Sequence, residues 1–238
     1  MITVLDANAV MGMMVDVVRI LAFLPREAGI RSAAVVAGIG YPTDGPYDLT
    51  RRSFDLTPPP KRDLPAADGR PAARTGGADE LLDFIEDVVK PLAARSAPID
   101  PLRYALLGHS FGGLCVLHAL FTRGAAFRDY VAGSPAIWWE DSAILGAAER
   151  FIARPDRPSP LRLLMTVGEY EQSLAPWHDP AWRPRMEMMK MVGQAHDLAG
   201  RLRNLPDLEL GFEVLPGDGH MSAFPAAVLR GVRFILAR

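Results

Sequence analysis

Cysteine is nearly absent from this chain: Cys115 is the single one in 238 residues. One thiol excludes an internal disulfide. Its setting between Leu114 and Val116 marks it as a small packed apolar side chain rather than a catalytic nucleophile. An excess of one charge is also missing. The formal charge is −2, the pI is near 6.2 and no run of like charge forms a tail, which argues against nucleic acid as a partner. Long apolar runs are lacking too. Asp6 and Asp16 interrupt the first apolar segment and no basic region precedes it, so it reads as neither a signal peptide nor a membrane span. The expected location is therefore the cytoplasm. There is no internal repeat, no phosphate-binding glycine loop and no cluster of metal ligands, so neither a metal nor an organic cofactor is expected.

What is present is an α/β pattern. A 49% hydrophobic content over this length suits one folded domain, 1–238, with a substantial core. Strand-like segments fall near 2–5, 32–38, 102–107, 128–133, 161–167 and 208–215, and helix-like ones near 10–26, 78–95, 111–123, 141–154, 182–203 and 222–237. Their alternation predicts a mostly parallel sheet of about six strands with helices on both faces. The exception is 41–76, where Pro42, Pro46, Pro58, Pro59, Pro60, Pro65 and Pro71 predict irregular structure. Because this segment follows the second strand, it is expected over the edge of the sheet where ligands bind, as a pocket wall or lid.

The chemistry centres on Gly108-His109-Ser110-Phe111-Gly112. An apolar strand-like run from Leu102 to Leu107 precedes it and a helical run from Leu114 follows, which is the context of the α/β-hydrolase nucleophile elbow. The flanking glycines are expected to be needed because a Cβ at either would collide across the turn. A serine hydroxyl is a weak nucleophile at neutral pH and needs a histidine base oriented by a carboxylate. Of five histidines, His109 lies inside the elbow, His118 in the helix after it, His178 in a Trp/Pro-rich connection and His196 in a helix. His220, in the turn after the last strand, is the expected base. For the acid, the fifth strand runs into Gly168-Glu169-Tyr170-Glu171, and spacing alone leaves Glu169 and Glu171 open, with Glu171 favoured; Asp218 reads as a turn-former. The oxyanion donors are expected to be the backbone N–H groups of Phe111, after the nucleophile, and Asn8, in the loop after the first strand.

With these residues in view, the chain resembles the putative-esterase branch of the α/β-hydrolases, which includes siderophore (enterobactin) esterases, feruloyl esterases, S-formylglutathione hydrolases and mycolyltransferases. The resemblance is carried by Leu5-Asp6-Ala7-Asn8, by Gly108-His109-Ser110-Phe111-Gly112-Gly113 and by Gly133-Ser134-Pro135-Ala136-Ile137-Trp138-Trp139. It is also carried by Val36 to Pro42, Arg51 to Pro58 and Gly217-Asp218-Gly219-His220, which match best near the bacterial siderophore esterases. It implies Glu171 as the acid, three residues beyond a glycine at a strand end, although some siderophore esterases work with Ser and His alone. The chain departs from the branch at Ala7, where glycine is usual, and in opening on its first strand without the β-hairpin. Trp138 and Trp139 are expected to line the substrate pocket or to fill the core. Arg52 is expected to meet an anionic substrate. The expectation is thus a serine ester hydrolase acting on a small-molecule ester. An acyltransferase or peptidase on the same residues, or a binding protein on this scaffold, are the alternatives.

Overall fold

The computed structural model describes residues 1–30, 34–60, 74–158 and 160–237. Six strands form one parallel sheet in the order β2-β1-β3-β4-β5-β6: β1 (Ile2–Val4), β2 (Val36–Gly38), β3 (Ala105–His109), β4 (Asp129–Gly133), β5 (Leu161–Gly168) and β6 (Leu208–Leu215). Strands covered on both faces need not alternate, and β3 and β4 are buried at every position. The expected strand at 102–107 begins three residues later. Leu102 and Arg103 donate to the side chain and carbonyl of Asp100 in a turn that delays the strand. Of the expected 32–38 strand, positions 32 and 33 lie outside the described residues.

Helices α1 (Ala7–Phe23) and α10 (Ala223–Leu236) pack on one face around Val10, Met14, Val228 and Val232. The other face carries α3 (Ala78–Phe84), α5 (Phe111–Thr122), the four-residue α6 (Trp139–Ser142), α7 (Ile144–Ala153) and α9 (Met191–Leu202). Helix α5 is buried from Gly112 to Phe121, which explains why it is apolar on all sides. A π-turn, Ile85–Val89, joins α3 to α4 (Lys90–Ser96) where Pro91 has no N–H to donate.

Two helical expectations change. The proline-rich 41–76 segment contains a helix, α2 (Leu49–Asp55), because the stretch between Pro46 and Pro58 is proline-free and Asp48 caps it, accepting the Arg51 N–H at 2.9 Å. Residues 61–73 of that segment lie outside the described ones. The single helix expected over 182–203 is two, α8 (Arg183–Met189) and α9, broken at Lys190 with φ 45°. Gln172 reaches in from another segment and caps α9, its Oε1 accepting the Gly193 N–H at 2.7 Å. Of the nearby methionines, Met186 and Met191 are buried whereas Met188 is exposed. No helix among the described residues is long and apolar enough to cross a membrane.

The chain leaves β1 for β2 on one side and returns to β3 on the other. The connections after β1 and β3 therefore part company above their own C-terminal ends and leave a crevice there.

Candidate active site

Ser110 sits at the tip of the turn between β3 and α5 with φ 61° and ψ −118°. A non-glycine residue held there stores about 1–3 kcal/mol of strain. Three backbone hydrogen bonds hold it: its N–H donates to Gly133 at 2.9 Å, and its carbonyl accepts from Leu114 at 2.9 Å and from Ala136 at 3.2 Å. A Cβ on Gly108 would stand 2.4 Å from the Gly112 carbonyl oxygen, as the sequence predicts. At Gly112 the expectation fails, since its nearest neighbour would be an ordinary 3.6 Å away. The second obligatory glycine is Gly113, where a Cβ would meet the Gly133 carbonyl oxygen at 2.7 Å and Pro135 at 3.0 Å.

The elbow delivers the N–H of Phe111 into the crevice at the start of α5. Across it, the loop after β1 turns into α1 at Asp6 in the left-handed region, φ 55°, a conformation that aspartate tolerates better than most residues. Ala7 donates to Ile39 at 2.9 Å, so the next amide, Asn8, is the first of α1 left without an acceptor among the described residues. The Asn8 side chain staples the loop after β2, with Oδ1 accepting from Tyr41 and Nδ2 donating to the carbonyls of Tyr41 and Thr43. The two expected oxyanion donors thus stand on neighbouring strand ends, and neither has an acceptor among the described residues.

Arg52 is placed differently from the sequence reading. Its guanidinium forks onto Asp6, with both N–O distances 2.9 Å, and lies 5.6 Å above the Phe111 ring and 5.3 Å above that of Tyr47. Asp6 is buried and Arg52 nearly so, which makes this pair a fastener between α2 and the Asn8 loop. Trp138 lies beside Phe111, ring centres 6.2 Å apart and partly exposed, while Trp139 is buried in the core. Of the tandem, Trp139 is thus a core residue and Trp138 a partly exposed neighbour of the elbow.

His220 follows a turn with Gly217 at φ 77°. Its Nδ1 meets Glu171 Oε2 at 2.6 Å, the imidazole 40% exposed and the carboxylate 1%. The other oxygen, Oε1, accepts the Ser134 hydroxyl at 2.5 Å and the Gly168 N–H at 2.7 Å. Every oxygen of this buried anion is therefore compensated. Glu169 serves another end. It accepts the Gly217 N–H at 2.7 Å, while Tyr170 donates to the Asp218 carbonyl at 2.9 Å, so the acid turn and the histidine turn are zipped together. A Cβ on Gly168 would stand 2.6 Å from that same carbonyl. With Nδ1 turned to an ionised carboxylate, Nε2 is the nitrogen left to accept a proton. No hydrogen bond joins Ser110 Oγ to His220 in this resting geometry, the type of contact that tightens when substrate binds.

The other histidines have other surroundings. His118 pairs with Asp79 at 2.9 Å on α5, His196 is exposed, and His178 accepts the Ala175 N–H. His109 is buried, its ring nitrogens without a hydrogen-bond partner among the described residues, stacked on Phe224 at 4.6 Å and tilted against His220 at 4.8 Å. Burial, with repulsion from His220 and Arg52, holds it well below the usual histidine range, so it is neutral at pH 7. Sequence reasoning did not single out Ser134 or the Asp6–Arg52 fork. Ser134 follows β4 with φ 40°, and nothing local in the sequence announces that its hydroxyl faces Glu171.

Residues 31–204 match the family described as putative esterase. The chain is 36% identical over 239 residues to the ferri-bacillibactin esterase BesA of Bacillus subtilis, covering 99% of this chain and 78% of that protein. It is 37% identical over 212 residues to the siderophore triacetylfusarinine C esterase of Aspergillus fumigatus, covering 83% and 69%. Among solved structures, the siderophore hydrolase EstA from Aspergillus nidulans superposes with a TM-score of 0.87 at 31% identity, over 98% of this chain and 81% of that one. The family model spans most of the chain and these relatives share its length and fold, so the chain belongs to the family: it is an ester-hydrolysing enzyme with the α/β-hydrolase fold.

Proposed function

We propose that this enzyme cleaves ester bonds of siderophores through an acyl-enzyme on Ser110. The observation that carries the mechanism is the Glu171–His220 contact of 2.6 Å, built on the strand ends beside the elbow. Support for the substrate comes from the siderophore esterases that the chain resembles along most of its length. In this reading Ser110 Oγ attacks the ester carbonyl carbon while His220 Nε2 takes the hydroxyl proton. The oxyanion is held by the Phe111 and Asn8 amides, each worth about 3–4 kcal/mol in such a site. The intermediate then collapses, the C–O bond breaks and the leaving alkoxide takes the proton from His220. Water repeats the sequence on the acyl-enzyme and releases the acid. Glu171 keeps the imidazole oriented and stabilises its charged form. Among the expected substrate contacts, Trp138 keeps that assignment, whereas Arg52 acts through Asp6 by holding the oxyanion loop. We assign the 238 residues to one hydrolase domain, with α2 of the proline-rich segment standing at the active-site edge.

The test is fluorophosphonate labelling read by intact mass, beside hydrolysis of a cyclic trilactone siderophore. One adduct on the parent, none on Ser110→Ala and a much slower one on His220→Ala is the expected result. A folded parent that takes no label would sink the mechanism, and a labelled parent that leaves the trilactone intact would sink the substrate.

A further inference from the structure

Strand β6 ends the sheet on one side, far from β2 on the other, and its outer edge is bare. It runs against β5 in unbroken register, from Leu161 opposite Leu208 to Gly168 opposite Leu215. In a parallel pair, alternate residues of each strand turn their backbone groups to the neighbour. Leu161 donates to the Asp207 carbonyl, so Glu209, Gly211 and Glu213 face β5 while the N–H and C=O groups of Leu210, Phe212 and Val214 point outward. None of those outward groups has a partner among the described residues.

An open edge is a template for another strand, and proteins that stay single blunt it with a proline, a lysine, a bulge or a short strand. Strand β6 has none of these devices, whereas β2 is only three residues long. Its carboxylates do not guard the edge either: Arg162 holds Glu209 at 3.0 Å, and Arg230 holds Glu213. The side chains that accompany the outward groups are apolar. Leu210 and Phe212 are half-buried against the α9 layer, and Val214 is 41% exposed.

The strand is complementary to itself in one register. Antiparallel pairing about a two-fold axis through Phe212 sets Phe212 against its own copy and Leu210 against Val214, each pair exchanging both N–H···O bonds. On the other face, Glu213 falls opposite Gly211 and Glu209 opposite Leu215, so apolar side chains meet and no carboxylate faces another. A slip of two residues either way opposes Glu209 to Glu213 or Glu213 to itself, which like charge disfavours. We propose that two copies of this chain join through β6 in that register and form one sheet running through both, a closed two-fold dimer. Because the joined strands are antiparallel, the two active sites open at opposite ends of the common sheet, and each is complete within its own copy.

Sedimentation velocity from about 1 to about 100 µM tests the association, which mass action makes concentration-dependent. The parent should pass into a species of twice 25.9 kDa, and a parent that stays monomeric throughout overturns the proposal. Val214→Pro removes an outward N–H that β5 does not use, and Val214→Lys places a charge in the apolar seam with the backbone intact. Both should sediment as monomers with the circular dichroism of the parent. A dimer that persists in folded Val214→Lys overturns the seam. Oxidation of single-cysteine variants reads the register, since the native Cys115 is buried. Phe212→Cys brings two thiols together across the axis on Cα atoms about 5.5 Å apart, a separation that a disulfide spans. It should cross-link at least about tenfold faster than Val214→Cys, whose thiol faces the partner's Leu210. Equal or reversed rates overturn the register.

Discussion

Two glutamates separated by one residue divide their work by what each oxygen touches. Glu171 is buried and holds His220, while Glu169 is exposed and braces Gly217. Glu171→Gln should lower ester kcat/KM by about 100-fold or more, because the amide cannot stabilise the imidazolium; Glu169→Gln should cost no more than a few-fold. Steady-state kinetics of the two variants decide the matter, and equal losses would contradict the assignment. The sequence could not choose between them by alternation because Glu169–Glu171 is a 3-10 turn, where side chains do not alternate. His109 gives a second residue-scale prediction. The unfolded chain takes up a proton at this histidine near pH 6.5 and the folded one does so only at much lower pH. Stability from His109 is therefore present above pH 6.5 and lost as the pH falls below it. Thermal unfolding should show the parent losing Tm between about pH 7 and about pH 5 more steeply than His109→Phe, whose ring keeps the stack on Phe224.

At the scale of elements, the close packing of α5 rests on Gly113 rather than on the second glycine of the elbow motif. Gly112→Ala should be neutral or raise stability by up to about 1 kcal/mol, since the helix gains a better former and the methyl has room. Gly113→Ala must push α5 away from backbone and should cost about 1–3 kcal/mol in urea unfolding. A reversed order would refute this reading of the turn. Helix α2 acts through the Asp6–Arg52 fork. Arg52→Lys keeps the charge but breaks the bidentate geometry, and it should lower kcat about tenfold with KM little changed. A loss confined to KM would place Arg52 on the substrate instead. Elements were legible where periodicity or punctuation was strong: β6 runs from Leu208 to Leu215 as the alternation predicts, and the elbow lies between the expected strand and helix. They were not where a tertiary partner decides the boundary. Gln172, far from α9 in sequence, sets its first turn, and a single Asp48 outweighs the prolines around α2.

At the scale of the molecule, the two ends of the sheet have separate duties. Chemistry collects at the C-terminal strand ends, while the start of β4 and β5 carries a tie. There Arg162 pairs with Asp129 at 2.8 Å and Glu209 at 3.0 Å and donates to the Phe234 carbonyl at 2.9 Å, joining three strands to α10. Arg162→Met should destabilise by about 3–5 kcal/mol, because it leaves the buried Asp129 charge without its partner. The fluorophosphonate labelling rate of the folded fraction should stay unchanged, and a large drop in that rate would show that the two ends are coupled. The single parallel sheet and its two apolar layers could be read from strand and helix alternation, but this tie could not, since its partners are 33, 47 and 72 residues apart.

Glu171 takes its three bonds from successive strand ends: Ser134 after β4, Gly168 closing β5 and His220 after β6. A growing or refolding chain can form the elbow once β3, α5 and β4 are in place, yet its serine has no oriented base until the last strand is laid down. Covalent capture of Ser110 during refolding thus times the completion of the sheet, and a chain cut short before Leu208 should carry a formed elbow with an inert serine.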